Sequence, residues 1–279
     1  MRALENKIRY FAKLLPIYWR ETASVGGFLG LLQVRLALSR FVGRAVCPNR
    51  IVRSVDIKSF GGVVALRSHT TDISVCDELL VSHSYAHLIR NVEDEVATVV
   101  DLGANIGLAA RWLAHAFPAA RIVAVEPEPG NLEILQLNLS AIADRAMCWP
   151  VAVGASDGRA ILTTDSGEHG FTILGTGPRE GTDVEVITLR RVLDESGIDR
   201  VDVLKCDIEG AERDLFADCA EWIALVGWLE IECHEPYRLP DLVKDLRRNG
   251  AAFSIVDHVP NPAFGCETVL LRNLDWQAS

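Results

Sequence analysis

The chain has 279 residues, 49% of them apolar and 24% charged, with a formal net charge of −10. That balance belongs to a globular protein and excludes a disordered polymer, while the negative net charge excludes a general nucleic-acid binder. The length suits one large α/β domain with an extension.

The charge is unevenly placed. Residues 1–50 hold nine Lys or Arg against two Glu, a net of +7 (9 − 2), so the remainder carries −17 (−10 − 7). Residues 4–19 interleave Lys7, Arg9 and Lys13 with Ile8, Tyr10, Phe11, Leu14 and Leu15, an amphipathic helical pattern, and helices are expected over much of 3–45. This basic arm suits a membrane surface, an acidic partner, a second copy of the chain or the protein's own body. Thr22–Val34 is apolar, but its 13 residues are too few to span a bilayer and no small-residue cleavage site follows. Neither a transmembrane segment nor a secretory signal is expected. The seven cysteines, odd in number and without a Cys-x-x-Cys pair, argue against a disulfide framework or a zinc site and point to a reducing cytoplasm.

Residues 51–67 carry two β-rich runs joined through Ser-Phe-Gly-Gly and read as a hairpin, and Asp72–Arg90 reads as helical. These elements form a helical and hairpin cap over 1–94, ahead of a catalytic domain over 95–279. From residue 97 strand and helix patterns alternate, which is the signature of a doubly wound, mostly parallel sheet covered on both faces. Strands are expected at 97–102, 121–126, 147–153, 200–206 and 226–232, and helices at 106–116, 130–142, 209–220 and 239–249. Two late strands, 251–257 and 266–272, lack a helix between them and read as an antiparallel pair at one edge. Between 154 and 190 the alternation breaks into Gly-rich hairpins such as Gly154–Ile161. The loop from Ser166 to Gly181 reads as a lid or a plain surface loop.

The most informative spacing is Val99-Val-Asp-Leu-Gly-Ala-Asn-Ile-Gly107 followed by Arg121-Ile-Val-Ala-Val-Glu-Pro127. A buried strand ends in a carboxylate, turns on glycine into a helix, and one crossover later a second carboxylate appears. Doubly wound sheets hold nucleoside cofactors in this way, the distant acid accepting hydrogen bonds from a ribose diol. Only Gly103 and Gly107 are present, without the third glycine that a pyrophosphate-binding turn uses. Asp101 opposes pyrophosphate and suits the ammonium and sulfonium of S-adenosylmethionine, which is favoured over NAD. Asp101, Gly103, Ala104, Asn105 and Gly107 are assigned to the methionine half of the cofactor. Glu126 and Pro127 are assigned to the ribose, and the turn at Val153–Ala155 to the adenine.

With these residues in view, the chain resembles an FkbM-type class I methyltransferase. The resemblance rests on Asp101–Gly107, Val125-Glu-Pro-Glu128 with Leu132 and Asn138, Ala152-Val-Gly154 with Asp157-Gly158, Ile187-Thr-Leu189, and Lys205-Cys-Asp-Ile-Glu-Gly-Ala-Glu212. It spans about residues 70 to 257. It implies a seven-stranded Rossmann-like sheet, S-adenosylmethionine as donor, and O-methylation of a hydroxyl on a sugar or natural product.

Ligands of open α/β sheets bind beyond the carboxyl ends of the strands. Asp207, a candidate for both cofactor binding and catalysis, falls there, and so do Glu232 and His234 in Leu229-Glu-Ile-Glu-Cys-His-Glu235, where alternation places 230, 232 and 234 on one face. Two arrangements stay open. In one, His234 is the general base and a carboxylate orients its ring. In the other, Asp207, Glu232 and His234 hold a divalent cation such as Mg, an arrangement similar to that of catechol-type O-methyltransferases. Lys205 reads equally as half of an ion pair shaping the turn, and Glu212 as a helix cap. His83, His87, His115, His169 and His258 show no ligand spacing. Tyr85, Trp149 and Phe171 are candidate pocket aromatics or core residues. Asp207-Ile-Glu-Gly lacks the Asn/Asp-Pro-Pro-Tyr turn frequent in N-methyltransferases, which favours oxygen. The rival readings are an N-methyltransferase and a non-catalytic cofactor-binding subunit.

Overall fold

Helical spacing of apolar residues at the N-terminus gives way to strand spacing near residue 50, and the chain folds accordingly. The computed structural model describes residues 2–39, 43–82, 85–92, 95–163, 172–174, 181–262 and 264–276. It divides into two compact units, Met1–Ala86 and His87–Ser279.

The first unit is built from helices α1 (Arg2–Glu21), α2 (Val25–Ala37) and α3 (Gly43–Val46), an antiparallel hairpin β1 (Val52–Ile57) and β2 (Gly62–Arg67), and a short helix α4 (Asp72–Asp77). Ser24 starts α2, its hydroxyl accepting from Gly27 N at 3.1 Å. The hairpin forms where its sequence predicts. The helical run expected over Asp72–Arg90 is broken: α4 passes into a wider π-helical turn, Glu78–Ser82, and a separate helix α5 (Ala86–Asn91) follows.

In the second unit, runs buried on both faces become central strands. β3 (Thr98–Leu102), α6 (Leu108–Ala116), β4 (Arg121–Val125), α7 (Pro129–Leu139) and β5 (Ala146–Trp149) form the first half. β6 (Ala152–Gly154), β7 (Gly158–Thr163), β8 (Thr172–Leu174) and β9 (Thr182–Thr188) form a separate small sheet in the order β6–β9–β7–β8. Then come α8 (Leu189–Glu195), β10 (Val201–Cys206), α9 (Glu212–Ala217), β11 (Val226–His234), α10 (Leu239–Arg248), β12 (Phe253–Asn261) and β13 (Cys266–Asn273). The main sheet has seven strands in the order β12–β13–β11–β10–β3–β4–β5, with β11 through β5 parallel and β13 antiparallel to both neighbours. This is the mixed α/β architecture that the sequence implies.

Three boundaries depart from the sequence reading for local reasons. The strand expected over 147–153 stops at Trp149 because Pro150 offers no N–H to the ladder. The hairpin expected at Gly154–Ile161 does not form, because β9 lies between β6 and β7. Asp157 ties that turn across the end of β9, accepting from Thr188 N at 3.0 Å and Arg191 Nη1 at 2.9 Å. The helix expected over 209–220 begins only at Glu212, because Glu209 (φ 54°) and Gly210 (φ 100°) take left-handed backbone. Most of the Ser166–Gly181 loop, with Phe171 and His169, lies outside the described residues, as does His83.

One face of the sheet packs Val100, Leu102, Leu204, Leu229 and Ile231 against α8, α9 and α10. The other packs Val99, Val203, Trp228 and Leu270 with Leu88, Ala110 and Leu113 of α5 and α6. No helix among the described residues is long and apolar enough to cross a membrane.

Candidate active site

Past the carboxyl end of β3 the chain must turn sharply, and left-handed backbone at Gly103 (φ 72°), Asn105 (φ 51°) and Gly107 (φ 81°) makes the turn. Gly103 is packed so closely that an added Cβ would meet Asp207 O at 1.8 Å. The turn is stitched to the end of β4, with Gly103 N and Ala104 N both donating to Val125 O at 3.0 Å. Its far end is held by Asn138 Nδ2, which donates to Ile106 O at 2.6 Å, and the buried Arg111 donates in turn to Asn138 O at 2.7 Å.

Glu126 lies where the crossover reading places it, beside this turn. Its Oε2 accepts from Asn105 N at 2.8 Å and its Oε1 from Glu128 N at 2.9 Å. A carboxylate offers about four acceptor positions, so the pair of amides fixes Glu126 and still leaves capacity for a diol. Burial pushes its carboxyl up to about 7, against the pull of those amides.

Asp101 differs from the sequence reading. It is fully buried, and its charge is matched by Lys205 rather than presented openly in the turn. Lys205 Nζ lies 3.0 Å from Asp101 Oδ1, 3.8 Å from Asp207 Oδ2, and donates to Gly103 O at 2.9 Å. The ion-pair reading of Lys205 therefore describes its geometry, with Asp101 the nearer partner. Burial raises the Asp101 carboxyl, and Lys205 opposes that rise. Ala104 and Val153 are also buried, so ligand contact there falls to backbone. Gly103, Asn105, Pro127 and Asp207 are half-buried at the rim of the turn.

A second constellation gathers at the ends of β10 and β11. His234 Nε2 lies 3.4 Å from Glu209, 3.6 Å from Glu232 and 4.0 Å from Asp207, while Nδ1 is 2.9 Å from Glu212 Oε1. The structure thus unites Asp207, Glu232 and His234, and adds Glu209 and Glu212. Glu212 does more than cap: its Oε1 accepts from Gly210 N at 3.1 Å and orients the His234 ring. Burial opposes charge on His234, but Glu212, Asp207 and Glu209 outweigh it and hold the imidazole up at about 9. Burial, followed by the Asp207 charge, lifts Glu209 to about 8. One ligand atom each from Asp207, Glu232 and His234 lie within 4.8 Å of one another.

Sequence reasoning missed His87, which shows no ligand spacing. Its Nε2 lies 2.9 Å from Glu230 Oε2. The available signal was the alternation on β11, which puts Glu230 on the same face as Glu232 and His234. Trp149, a candidate pocket aromatic or core residue, packs partly buried against the core and donates through Nε1 to Ser196 Oγ at 2.9 Å.

Comparison with known proteins gives these arrangements a context. A family model described as the methyltransferase FkbM domain matches residues 101–249. Methyltransferase sdnD of Sordaria araneosa is 29% identical over 195 residues, which are 57% of this chain and 73% of that protein. AMB antimetabolite synthetase AmbE of Pseudomonas aeruginosa is 25% identical over 281 aligned residues, covering 80% of this chain but 13% of the synthetase. Among solved structures, TrmK of M. capricolum in complex with S-adenosyl-homocysteine aligns at a TM-score of 0.43 and 8% identity, covering 68% of this chain and 67% of that one.

Proposed function

The chain belongs to the FkbM methyltransferase family, and on that footing we propose that it transfers a methyl group from S-adenosylmethionine to a hydroxyl of a sugar or natural-product acceptor. The observation that carries this reading is the meeting of two features at neighbouring strand ends. The glycine turn packs directly on Asp207, and Asp207 borders the His234 carboxylate group.

The residues present fit the donor. Glu126, fixed by two amides, takes the ribose diol, and the half-buried rim of the turn at Gly103, Asn105 and Pro127 takes the rest of the nucleoside. Bound there, the donor supplies an electrophilic methyl on a sulfonium. The protein's task is then to align an oxygen nucleophile and receive its proton. Asp207 and Glu232 flank the approach to His234 and accept hydrogen bonds from other hydroxyls of the acceptor. His234, its ring oriented by Glu212, takes the proton once its imidazole is neutral, so turnover is expected to rise with pH toward about 9. Asp207-Ile-Glu-Gly, which lacks the Pro-Pro-Tyr turn, supports oxygen over nitrogen. All seven cysteines are free thiols, which supports a reducing, cytoplasmic setting.

One observation favours a second reading, in which Asp207, Glu232 and His234 hold a divalent cation. Their ligand atoms are close enough, and a carboxylate on the far ring nitrogen is the usual setting of a metal-binding imidazole. A cation there would polarise the acceptor oxygen.

Calorimetry with S-adenosylhomocysteine tests the donor assignment, and NAD binding in its place overturns it. Methyl transfer to a panel of methyl glycosides, with and without EDTA, tests the rest. Ether products that persist in EDTA support the base reading, and products lost in EDTA and restored by Mg support the cation. Transfer to amines alone rejects oxygen. His234→Ala is expected to lower turnover at least about 100-fold with little change in S-adenosylhomocysteine affinity.

A further inference from the structure

The carboxyl edge of the sheet carries a buried row of charges that the proposed reaction does not use. Lys205 of β10 is the Cα partner of Asp101 in β3 on one side and of Glu230 in β11 on the other. Adjacent strands lie about 4.8 Å apart, so the Lys205 backbone stands midway between those of two acidic residues, while its ammonium leans to Asp101 at 3.0 Å. Asp101, Lys205 and Glu230 are 0%, 3% and 1% exposed. The ion pairs of Lys205 run to Asp101 and Asp207, and its hydrogen bond to Gly103 O straps the glycine turn to β10. Glu230 instead pairs with His87 from α5, and its other oxygen is buried without a hydrogen-bond partner among the described residues.

We propose that His87 is a positioning residue for donor binding: by engaging Glu230 it keeps Lys205 committed to Asp101 and to the carbonyl of Gly103. The physical reason is competition. A buried carboxylate that loses its partner takes up a proton or finds another donor, because desolvation without compensation is the costlier state. Lys205, the register partner of Glu230 on the neighbouring strand, is a cation whose charge already acts on it. Turning toward Glu230 takes Lys205 off Gly103 O, unstrapping the turn that receives the donor, and leaves Asp101 uncompensated. His87 never needs to touch the donor. Leu88, the next residue, is buried against Val99, Val203 and Trp228, and so anchors α5 over this part of the sheet.

This inference rests on the donor assignment above, and its test separates the two. The affinity of the full chain for S-adenosylhomocysteine is measured by calorimetry for wild type, His87→Ala, Glu230→Gln and the double variant, with thermal melts confirming the fold. Wild-type binding tests the donor assignment, and the ratios between variants test His87. His87→Ala is expected to weaken binding about tenfold. Glu230→Gln removes the competing charge and is expected to stay within about threefold of wild type. The double variant is expected to recover to within the same threefold, which a merely structural loss of His87 would not do. His87→Gln keeps a donor toward Glu230 and is expected to fall between wild type and His87→Ala. Affinity of His87→Ala within twofold of wild type, or a double variant no better than His87→Ala, overturns the proposal. Absence of wild-type binding overturns the donor assignment, and the proposal with it.

Discussion

Replacing Lys205 by Met removes the cation on which the glycine turn and Asp101 both depend. The Lys205 and Asp101 side chains are 4% and 0% exposed, and their charges lie 3.0 Å apart. Methionine keeps much of the buried volume and none of the charge. Asp101 must then remain ionised alone or take up a proton, and the second course sets a ceiling. Holding at pH 7 a proton on a carboxyl whose ordinary value is 3.8 costs about 4 kcal/mol. Losing the hydrogen bond to Gly103 O at 2.9 Å adds about 1 kcal/mol. Burial already raises the native Asp101 carboxyl, which trims the ceiling. The expected loss is therefore about 3–4 kcal/mol, within the range for breaking a buried pair. Urea unfolding of wild type, Lys205→Met, Asp101→Asn and the double variant measures it. Tryptophan fluorescence reports the second unit, since Trp19 alone of the six tryptophans lies in the first. The double variant is expected to be about 2 kcal/mol more stable than additivity of the single variants allows. The deficit of Lys205→Met is expected to shrink as the pH falls toward 4, where protonating Asp101 no longer opposes folding. A loss below about 1 kcal/mol at pH 7, or strict additivity, refutes the pairing argument.

Three further outcomes follow from the geometry. Gly103→Ala sets a methyl 1.8 Å from Asp207 O at a φ of 72°, so a loss of at least about 2 kcal/mol is expected, and an unchanged melting temperature contradicts the packing. Glu126 is raised from 4.5 to about 7 by burial. The folded chain thus holds its proton more tightly than the unfolded chain, and the penalty is absent below 4.5 and complete above about 7. Stability of wild type relative to Glu126→Gln is expected to fall by about 3 kcal/mol across that window in urea titrations, and a flat difference rejects the assignment. Asp207→Asn is expected to weaken the cationic donor about tenfold more than neutral S-adenosylhomocysteine in paired calorimetry, since only the former carries the sulfonium charge, and equal weakening rejects an electrostatic role.

The central strands were legible because a buried parallel strand is a short apolar run, and Thr98–Leu102 and Val201–Cys206 are such runs. The crossover spacing placed Glu126 beside the turn that ends β3, and strand alternation brought Glu232 and His234 to Asp207. Local chemistry blurred the boundaries. Pro150 ends β5, and left-handed backbone at Glu209 delays α9, a conformation that sequence does not advertise for glutamate. The partners of the charged residues were not legible. Asp101 read as a charge facing a ligand because nothing in sequence spacing reveals that Lys205, on another strand, takes it in register. His87 read as incidental because its partner lies 143 residues away.

Depth along the strands separates two kinds of charge at this edge. The inner layer, Asp101, Lys205, Glu230 and His87, alternates in sign and is nearly or fully buried. Uncompensated charge at that depth would be prohibitive, so each member has a partner of opposite sign. Two residues further along β10 and β11 lies the outer layer, where Asp207, Glu209, Glu212 and Glu232 surround a single imidazole. Asp207, Glu209 and Glu232 there are partly solvated, so an excess of negative charge is tolerable in a way it is not below. A cationic ligand gains most where such an excess has been left unbalanced. The layers should therefore answer differently to substitution. Neutralising an inner residue should appear first as lost stability or a displaced turn, and neutralising an outer one as lost discrimination between charged and neutral donor.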